Sequence, residues 1–285
     1  MPGARPLAAD ELVEAALAED VGDGDRTTAW TVPDGAVGSA RIVARADGLL
    51  AGRGPAARVF ELLDPRARLD WSLDDGDRVT TDSTVARIEG SLAAILTGER
   101  TALNFLGRLS GIATLTARYV EAVDGTGSRV IDTRKTTPAW RSLEKAAVAA
   151  GGAQNHRHGL YDMVLIKENH IRAAGGVAAA IRGARDRARA EGIELEVEVT
   201  SLTELDEALA EGADRVLLDN MDNATLAACV ARTREAEPPR PLLEASGGIS
   251  LETVRSVAAT GVDLISVGAI THSAPAFDLS LLVDL

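Results

Sequence analysis

Charged and small polar side chains follow several short apolar runs in the second half of this chain. The residues at these run ends are Asp132, Arg134, Lys135, Lys167, Glu198, Asp219 and Ser246. Arginine and lysine bind phosphates and carboxylates. Carboxylates bind Mg²⁺ or oppose a positive charge that develops during a reaction. The combination predicts a pocket for a polyanionic substrate that is handled together with a metal ion.

The apolar runs themselves predict buried parallel strands, because they are short, rich in Val, Ile and Leu, and alternate little. They span residues 129–132, 163–167, 195–199, 215–219, 242–246 and 264–268. Helical stretches separate most of them, which indicates β-α-β-α units. Because barrel enzymes carry their catalytic residues at the carboxyl ends of the strands, we expect an α/β barrel. Six strands rather than eight favour a partly open, TIM-like barrel.

A different pattern precedes this region and predicts a smaller α+β sandwich domain over residues 1–110. Short helices are expected at 9–19 and 55–63, and half-exposed strands at 39–45, 67–73 and 84–88. A long helix over 91–123 should link this domain to the barrel at 111–270, with a break or bend near Gly98 and Ser110-Gly111. The terminal segment 271–285 could pack back on the first domain.

Charge and composition narrow the function classes. The net charge is −13, which argues against nucleic acid or an anionic membrane as a partner. Segment 132–170 nevertheless carries a net charge of +2, as expected for an anion pocket in an acidic protein. The single cysteine, Cys229, excludes an internal disulfide framework. With no apolar run of membrane-spanning length, we expect a soluble cytoplasmic protein.

Two glycine-bearing loops near the carboxyl terminus predict a phosphate site. Gly247 and Gly248 follow one late strand and Gly268 ends the next, so backbone N–H groups could approach an anion closely. Barrels often bind phosphate with their last two strand-end loops. The alternative is a pair of ordinary glycine turns.

Other residues allow two interpretations. Arg100, Asn104 and Arg108 share one helical face, which is either a solvated surface or part of an active site, including that of a neighbouring subunit. The acidic loop 20–28 is a solvated turn rather than a calcium site, because the distal glutamate of a calcium loop is missing. His156 alone could be structural.

Several motifs resemble the quinolinate phosphoribosyltransferase family. They are Glu99–Asn104, Leu109–Thr114, Asp132-Thr-Arg-Lys-Thr-Thr-Pro138, Asn155-His-Arg157 and Leu165–His170. The likeness extends over essentially the whole chain, including the loop from Glu19 and the run from Glu244. Two departures occur beside the expected pocket. Ala139-Trp140 replaces the more usual Gly-Leu, and Ala153-Gln154 interrupts a stretch that is usually glycine-rich.

The resemblance implies that phosphoribosyl is transferred from 5-phosphoribosyl 1-pyrophosphate to quinolinate, with release of pyrophosphate and CO₂ and with Mg²⁺ as cofactor. It implies a homodimer with shared active sites. Lys135, Lys167, Glu198 and Asp219 would be catalytic, and Glu198 and Asp219 would hold the metal, directly or through water. The substrate-binding residues would be Arg100 from the partner, Thr133, Arg134, Lys135, His156, Arg157, Lys167, Glu198, Asp219, Ser246, Gly247, Gly248, Gly268 and His272.

Three alternatives remain open from the sequence. A relative could act on another heteroaromatic acid, although Arg134 and Arg157 together favour a dicarboxylate. A Schiff-base aldolase could use Lys167, since lysines at barrel strand ends do so. A phosphate-sensing or scaffolding protein would have no need for Glu198 and Asp219 beside a cationic pocket.

Overall fold

The computed structural model describes residues 8–284, which form two compact units. One unit holds residues 8–117, 136–152 and 270–284, and the other holds 118–135 and 153–269. Residues 136–152 thus group with the amino-terminal part of the chain, although they follow the first strand of the barrel.

The strands of the first unit are β1 Val37–Ala44, β2 Gly48–Leu49, β3 Arg68–Trp71, β4 Arg78–Val79, β5 Thr84–Ser91 and β12 Leu279–Asp284. Four of them form an antiparallel sheet with the order β12-β1-β5-β3. β2 and β4 form a separate pair. The carboxyl-terminal strand β12 lies at the sheet edge beside β1, with Ile42 opposite Leu281.

The helices that begin in this unit are α1 Ala9–Val21, α2 Arg26–Thr31, α3 Arg53–Leu63, α4 Leu92–Val123 and α5 Arg141–Ala150. The acidic loop after α1 has a structural use, because Asp25 caps the amino terminus of α2. Its carboxylate accepts hydrogen bonds from the Thr28 backbone N–H at 3.0 Å and from the Thr28 hydroxyl. These bonds and that of the Thr97 hydroxyl lower the pKa of Asp25, although burial opposes them.

The long helix α4 is continuous over 32 residues, so the expected break at Gly98 or Ser110-Gly111 is wrong. Both glycines serve close packing instead. A Cβ at Gly98 would lie about 3 Å from Val59 and Leu63 on α3, and a Cβ at Gly111 would collide with the Pro275 carbonyl oxygen. In each case the missing side chain lets another segment approach the helix.

A buried ion pair ties α4 to α5. The Arg108 guanidinium donates to the Glu144 carboxylate at 2.7 Å, and Glu144 has no exposed surface. The same carboxylate accepts from the Thr137 N–H at 3.1 Å and from its hydroxyl at 2.7 Å. Arg108 also donates to the carbonyls of Thr271 and Ala274. Arg108 is therefore occupied structurally, in contrast with Arg100 on the same predicted face.

The two residues that depart from the family pattern, Ala139 and Trp140, lie in this clamped segment. Ala139 has φ +67°, a left-handed conformation that is unfavourable for any residue with a Cβ. The Trp140 ring stacks on Phe105, with 4.7 Å between the ring centroids and 12° between the ring planes. The stack contributes attraction that offsets the strain at Ala139.

The strands of the second unit are β6 Arg129–Ile131, β7 Val164–Ile166, β8 Leu195–Val199, β9 Arg215–Asp219, β10 Leu242–Ser246 and β11 Leu264–Ser266. They form a six-stranded parallel sheet with the order β6-β11-β10-β9-β8-β7. The helices after them are α6 Glu168–Ala174, α7 Val177–Glu191, α8 Leu202–Glu211, α9 Asn223–Glu235 and α10 Val254–Ala258, and the short α11 Ala269–His272 follows β11. The predicted fold class, a TIM-like α/β barrel preceded by a smaller sheet domain, is confirmed.

Caps at the strand-to-helix junctions set where the barrel helices begin. Ser201 accepts a hydrogen bond from the Glu204 N–H at 3.2 Å at the start of α8, and Asp222 accepts from Thr225 N–H at 2.8 Å at the start of α9. These turns leave the preceding strand ends free of helical structure. Among residues 8–284, no helix has the length and apolarity needed to cross a membrane.

Replacing Ala139 by glycine should stabilise the protein. The substitution removes the left-handed strain, and after allowing for the greater entropy of an unfolded glycine we expect a gain of about 0.5–1 kcal/mol in the free energy of unfolding. Urea unfolding measures the change. The matched control is Ala146→Gly, at an exposed position inside α5, which should lose about 1 kcal/mol. Loss of stability in both variants would contradict the strain at Ala139.

Candidate active site

The polar strand ends of the second unit surround one cavity of about 160 Å³. Side chains from or just after β6, β7, β8, β9, β10 and β11 line it. The lining residues are Thr133, Arg134, Lys135, His156, Arg157, Leu165, Lys167, Glu198, Leu217, Asp219, Glu244, Ser246 and Ser266. The structure therefore brings together nine of the predicted site residues, which are all of that set except Arg100, three glycines and His272.

Strand periodicity explains which side chains reach the cavity. Leu217 and Asp219 on β9 line it, and so do Glu244 and Ser246 on β10. Residues two apart on a strand point to the same face. The ladder pairs Asp219 with Ser246 across the two strands, so their side chains arrive at the same level.

The cationic side of the cavity is formed by Arg134 and Arg157. Arg157 is only 9% exposed, and its guanidinium donates to the Met163 carbonyl at 3.1 Å. Burial lowers the pKa of Arg157, and the nearby charge of Arg134 lowers it further. Two guanidinium groups that repel each other in a partly desolvated cavity would be stabilised by an anion between them.

A buried cluster of His156, Glu196 and Glu244 adjoins Arg157. The His156 Nδ1 accepts a hydrogen bond from the Arg157 backbone N–H at 2.7 Å, which assigns the ring proton to Nε2. Nε2 lies 3.0 Å from Glu196 Oε2 and 3.5 Å from Glu244 Oε2. The His156 backbone N–H donates to the buried Asp132 carboxylate at 2.7 Å. Both ring nitrogens thus face protein groups, and direct binding of a substrate carboxylate by His156 stays a prediction.

The two buried glutamates cannot both be charged at low cost. Glu244 has no exposed surface, and burial together with the neighbouring charge of Glu196 raises its pKa well above the usual value. A proton on Glu244 removes the repulsion and the desolvation penalty of a second charge. The cluster then presents one carboxylate to His156.

Glu198 and Asp219 have the chemistry for a hydrated Mg²⁺ ion. They come from the neighbouring parallel strands β8 and β9 and line the same cavity. Magnesium is commonly bound by one or two carboxylates together with water and substrate phosphates. The Lys167 ammonium lies 3.9 Å from a Glu198 oxygen, and the lysine side chain is 52% exposed. The donor set therefore fits the ion.

The predicted phosphate loop follows β10 directly. Gly247 has φ +107° and Gly248 has φ +59°. Only glycine adopts the value at position 247 without strain. Ser246, the last residue of β10, lines the cavity beside them. Gly268 lies between β11 and α11. The three glycines are thus at two late strand ends of the barrel.

Family models match nearly the whole chain. The model described as quinolinate phosphoribosyl transferase, N-terminal domain, matches residues 25–110, and the corresponding C-terminal domain model matches residues 112–282. The chain belongs to the quinolinate phosphoribosyltransferase family.

Relatives of this family are similar to this chain over most of their length. The carboxylating nicotinate-nucleotide pyrophosphorylase of Mycobacterium leprae is 42% identical over 277 residues, which cover 96% of this chain and 96% of the relative. The chloroplastic enzyme of the same name from Arabidopsis thaliana is 39% identical and covers 96% of this chain and 82% of its own. The solved structure of the nicotinate-nucleotide pyrophosphorylase from Francisella tularensis superposes with a TM-score of 0.92, at 40% identity and with 97% and 96% of the two chains covered.

Two residues that the family resemblance assigns to the site lie in the first unit. Arg100 on α4 lines a second cavity of about 540 Å³, together with Asp20, Asp23 and Asp25. His272 ends α11, and its Nδ1 lies 2.6 Å from the Ser273 hydroxyl. The roles of both residues in substrate binding stay predictions.

Three residues of this quinolinate phosphoribosyltransferase-family site had no role in the sequence interpretation. Glu196 and Glu244 lie within predicted strands, and Asn220 directly follows one. The signal for Glu196 was its spacing from Glu198, since a residue two positions earlier on a strand shares the same face. A charged residue inside an otherwise apolar buried run is the corresponding signal for Glu244.

Glu244→Gln should change how stability depends on pH. Since the folded pKa of Glu244 is raised above its unfolded value, the contribution of Glu244 to the free energy of unfolding is fully present below about pH 4.5 and falls as the pH rises towards the folded pKa. One such proton contributes a slope of up to about 1.4 kcal/mol per pH unit. The glutamine variant should lack this contribution. Urea unfolding between about pH 4.5 and 8 measures the slope.

The control for this experiment is Glu168→Gln. Glu168 is 70% exposed and pairs with the equally exposed Arg172 at 3.3 Å, so its loss should leave the slope of the wild type unchanged. An identical pH dependence in the Glu244→Gln variant and the wild type would contradict a proton held on Glu244.

Proposed function

We propose that this protein transfers the phosphoribosyl group of 5-phosphoribosyl 1-pyrophosphate to quinolinate, and releases nicotinate mononucleotide, pyrophosphate and CO₂. The reaction is a step of de novo NAD biosynthesis, and the enzyme is a pentosyltransferase. The observation that carries the proposal is the arrangement of the barrel edge in a chain of this family. Cations that follow β6 and β7, carboxylates from β8 and β9 and Ser246, the residue before the glycine loop, meet at one cavity.

The two carboxylates of quinolinate match the cationic side of the cavity. Arg134 and Arg157 would bind them, since a guanidinium donates two parallel hydrogen bonds to a carboxylate. Thr133 and Lys167 line the same cavity and would complete the pocket, with Arg100 of a partner subunit entering from outside. Placing the pyridine nitrogen near the ribose carbon in this way would supply a large part of the rate enhancement.

Departure of pyrophosphate leaves positive charge on the ribose. Glu198 and Asp219 would oppose that charge and bind the ribose hydroxyls, and Lys135 would bind the leaving pyrophosphate. Glu198 and Asp219 would also hold Mg²⁺, which when bound neutralises phosphate charge. The Ser246–Gly248 loop, with Gly268 and His272, would hold the 5′-phosphate through backbone N–H groups and polar side chains.

Decarboxylation follows from the charge that the transfer creates. Once the pyridine nitrogen carries the ribose, its positive charge stabilises the electron pair left on the adjacent ring carbon as CO₂ departs. A proton from water then binds this carbon and completes nicotinate mononucleotide. The cationic pocket needs only to hold the remaining carboxylate in place. No covalent nucleophile is required, so the proposal differs from the Schiff-base alternative at Lys167.

A homodimer is the second part of the proposal. Arg100 is exposed, and the cavity that it lines contains three aspartates and is in the first unit. In the family resemblance this region covers the barrel of a partner subunit. A cytoplasmic location stays a prediction from the composition.

Incubation of the protein with quinolinate, phosphoribosyl pyrophosphate and Mg²⁺ tests the reaction. Nicotinate mononucleotide and CO₂ should form in equal amounts, and omission of Mg²⁺ should reduce both. Nicotinate in place of quinolinate is the matched acceptor control, and it should react much more slowly because it lacks one of the two carboxylates. Absence of product from quinolinate, or an equal rate with nicotinate, would overturn the proposal. Borohydride trapping with a carbonyl substrate would be positive only for an aldolase.

Arg134→Ala should lower kcat/KM for quinolinate on the order of 100-fold, about 3 kcal/mol, because it removes a charge-assisted anchor from a partly desolvated pocket. Arg134→Lys keeps the charge but loses the two parallel hydrogen bonds, so its kcat/KM should lie between those of the wild type and Arg134→Ala. Arg172→Ala is the control, since Arg172 is 74% exposed and pairs with Glu168 on α6. Steady-state kinetics measure all three variants. Near-normal turnover of Arg134→Ala would remove Arg134 from the site.

A further inference from the structure

Asn220 lies between two parts of the cavity that the proposed function assigns to different groups of one substrate. It directly follows Asp219, the last residue of β9, and precedes the turn into α9. Its φ is +53°, and residues 8–284 contain only two other non-glycine residues with positive φ, Asp82 and Ala139. Asparagine tolerates this conformation better than most residues, but the chain still has to be held there.

The side chain of Asn220 contacts the Asp219 carboxylate. Its Nδ2 donates to Asp219 Oδ2 at 2.7 Å. The opposite amide orientation would place two oxygens at that distance and is excluded by repulsion. Asp219 is only half-buried, so the carboxylate would otherwise be free to rotate in water. The bond therefore selects one orientation of the carboxylate.

The same residue also contacts the glycine loop on the other side. Its backbone N–H donates to the Ser246 carbonyl at 2.9 Å. A Cβ at Gly247 would lie 2.6 Å from Asn220 Cγ and 3.0 Å from its backbone nitrogen. Glycine at 247 is thus needed for the Asn220 side chain to occupy its place, in addition to the φ of +107°.

We propose that Asn220 is a positioning residue, which fixes the Asp219 carboxylate relative to the Ser246–Gly248 loop. The ribose hydroxyls and the 5′-phosphate of phosphoribosyl pyrophosphate then bind at the separation that transfer requires. This inference rests on the proposed function. Asn220 need not touch the substrate, because it acts through one neighbour on each side.

A rigid link is useful here because the reacting ribose carbon belongs to neither anchor. The phosphate is held by one loop and the hydroxyls by another, so a relative shift of the two would displace the carbon from the pyridine nitrogen. Displacements of about 1 Å can cost on the order of 100-fold in rate. Quinolinate would be held by Arg134 and Arg157, which Asn220 does not contact in the described hydrogen bonds.

Two substitutions of Asn220 separate its side chain from its backbone. Asn220→Gly keeps the left-handed conformation without strain and removes the amide. It should raise KM for phosphoribosyl pyrophosphate by roughly tenfold and lower kcat, while KM for quinolinate changes less than about twofold. Asn220→Asp keeps the shape but replaces the donor by an acceptor beside Asp219. The changes in KM for phosphoribosyl pyrophosphate and in kcat should therefore be larger for this variant than for the glycine variant.

A double-mutant cycle tests the link with the glycine loop. Gly247→Ala alone should displace the Asn220 side chain and give the same rise in KM for phosphoribosyl pyrophosphate. In the Asn220→Gly/Gly247→Ala double variant most of that collision is absent, so the combined effect should be smaller than the product of the two single effects. Effects that multiply independently would overturn the link.

The control is Asp82→Gly, which removes another left-handed side chain, in the first unit, and should leave both KM values unchanged. A purely structural role of Asn220 predicts a lower unfolding midpoint with an unaltered KM for phosphoribosyl pyrophosphate, and this result would overturn the positioning role. So would kinetics of Asn220→Gly within about twofold of the wild type. Failure of the proposed function is distinct, because the wild type itself would then form no nicotinate mononucleotide.

Discussion

The parallel ladder of the barrel sheet is the constraint on which the site depends. Its hydrogen bonds place Asp219 opposite Ser246 and Ser266 opposite Ile131, so the carboxyl ends of the strands meet at one edge. Within each strand, residues two apart share the cavity face. A slip of one residue in any strand would turn its polar side chains away from the cavity. The apolar residues of the opposite faces, such as the fully buried Val197 and Val216, oppose such a slip because it would expose them.

Cations and buried carboxylates lie close together in the site. Arg134, Arg157 and Lys167 line the cavity together with the buried Glu244, and Glu196 is buried next to Glu244. Buried carboxylates attract nearby cations, and this would compete with an incoming anion if both were charged. A proton on Glu244 limits the competition, while the remaining carboxylate holds the His156 ring. The cations therefore remain available for substrate in a protein whose net charge is −13.

The sequence predicted the positions of the strand ends and the cations and carboxylates on them, because parallel strands and their polar ends have a local pattern. It could not predict that α4 continues through Gly98 and Gly111, since the packing of these glycines against α3 and Pro275 depends on distant segments. It likewise missed the buried glutamates. A strand with charged residues at 196 and 198 is compatible with one exposed face, and only the folded structure shows that Glu196 is fully buried.

Backbone strain near the predicted motifs has two different physical settings. At Asn220 the left-handed conformation is held by hydrogen bonds to the carboxylate and to the loop that line the cavity. At Ala139 the strain is offset by an aromatic stack inside the first unit, and no contact described there involves a cavity-lining group. Glycine would adopt this φ without strain, so the strain at Ala139 lowers stability and does not serve the site. Strain is therefore informative about function only where the contacts that hold it belong to the site.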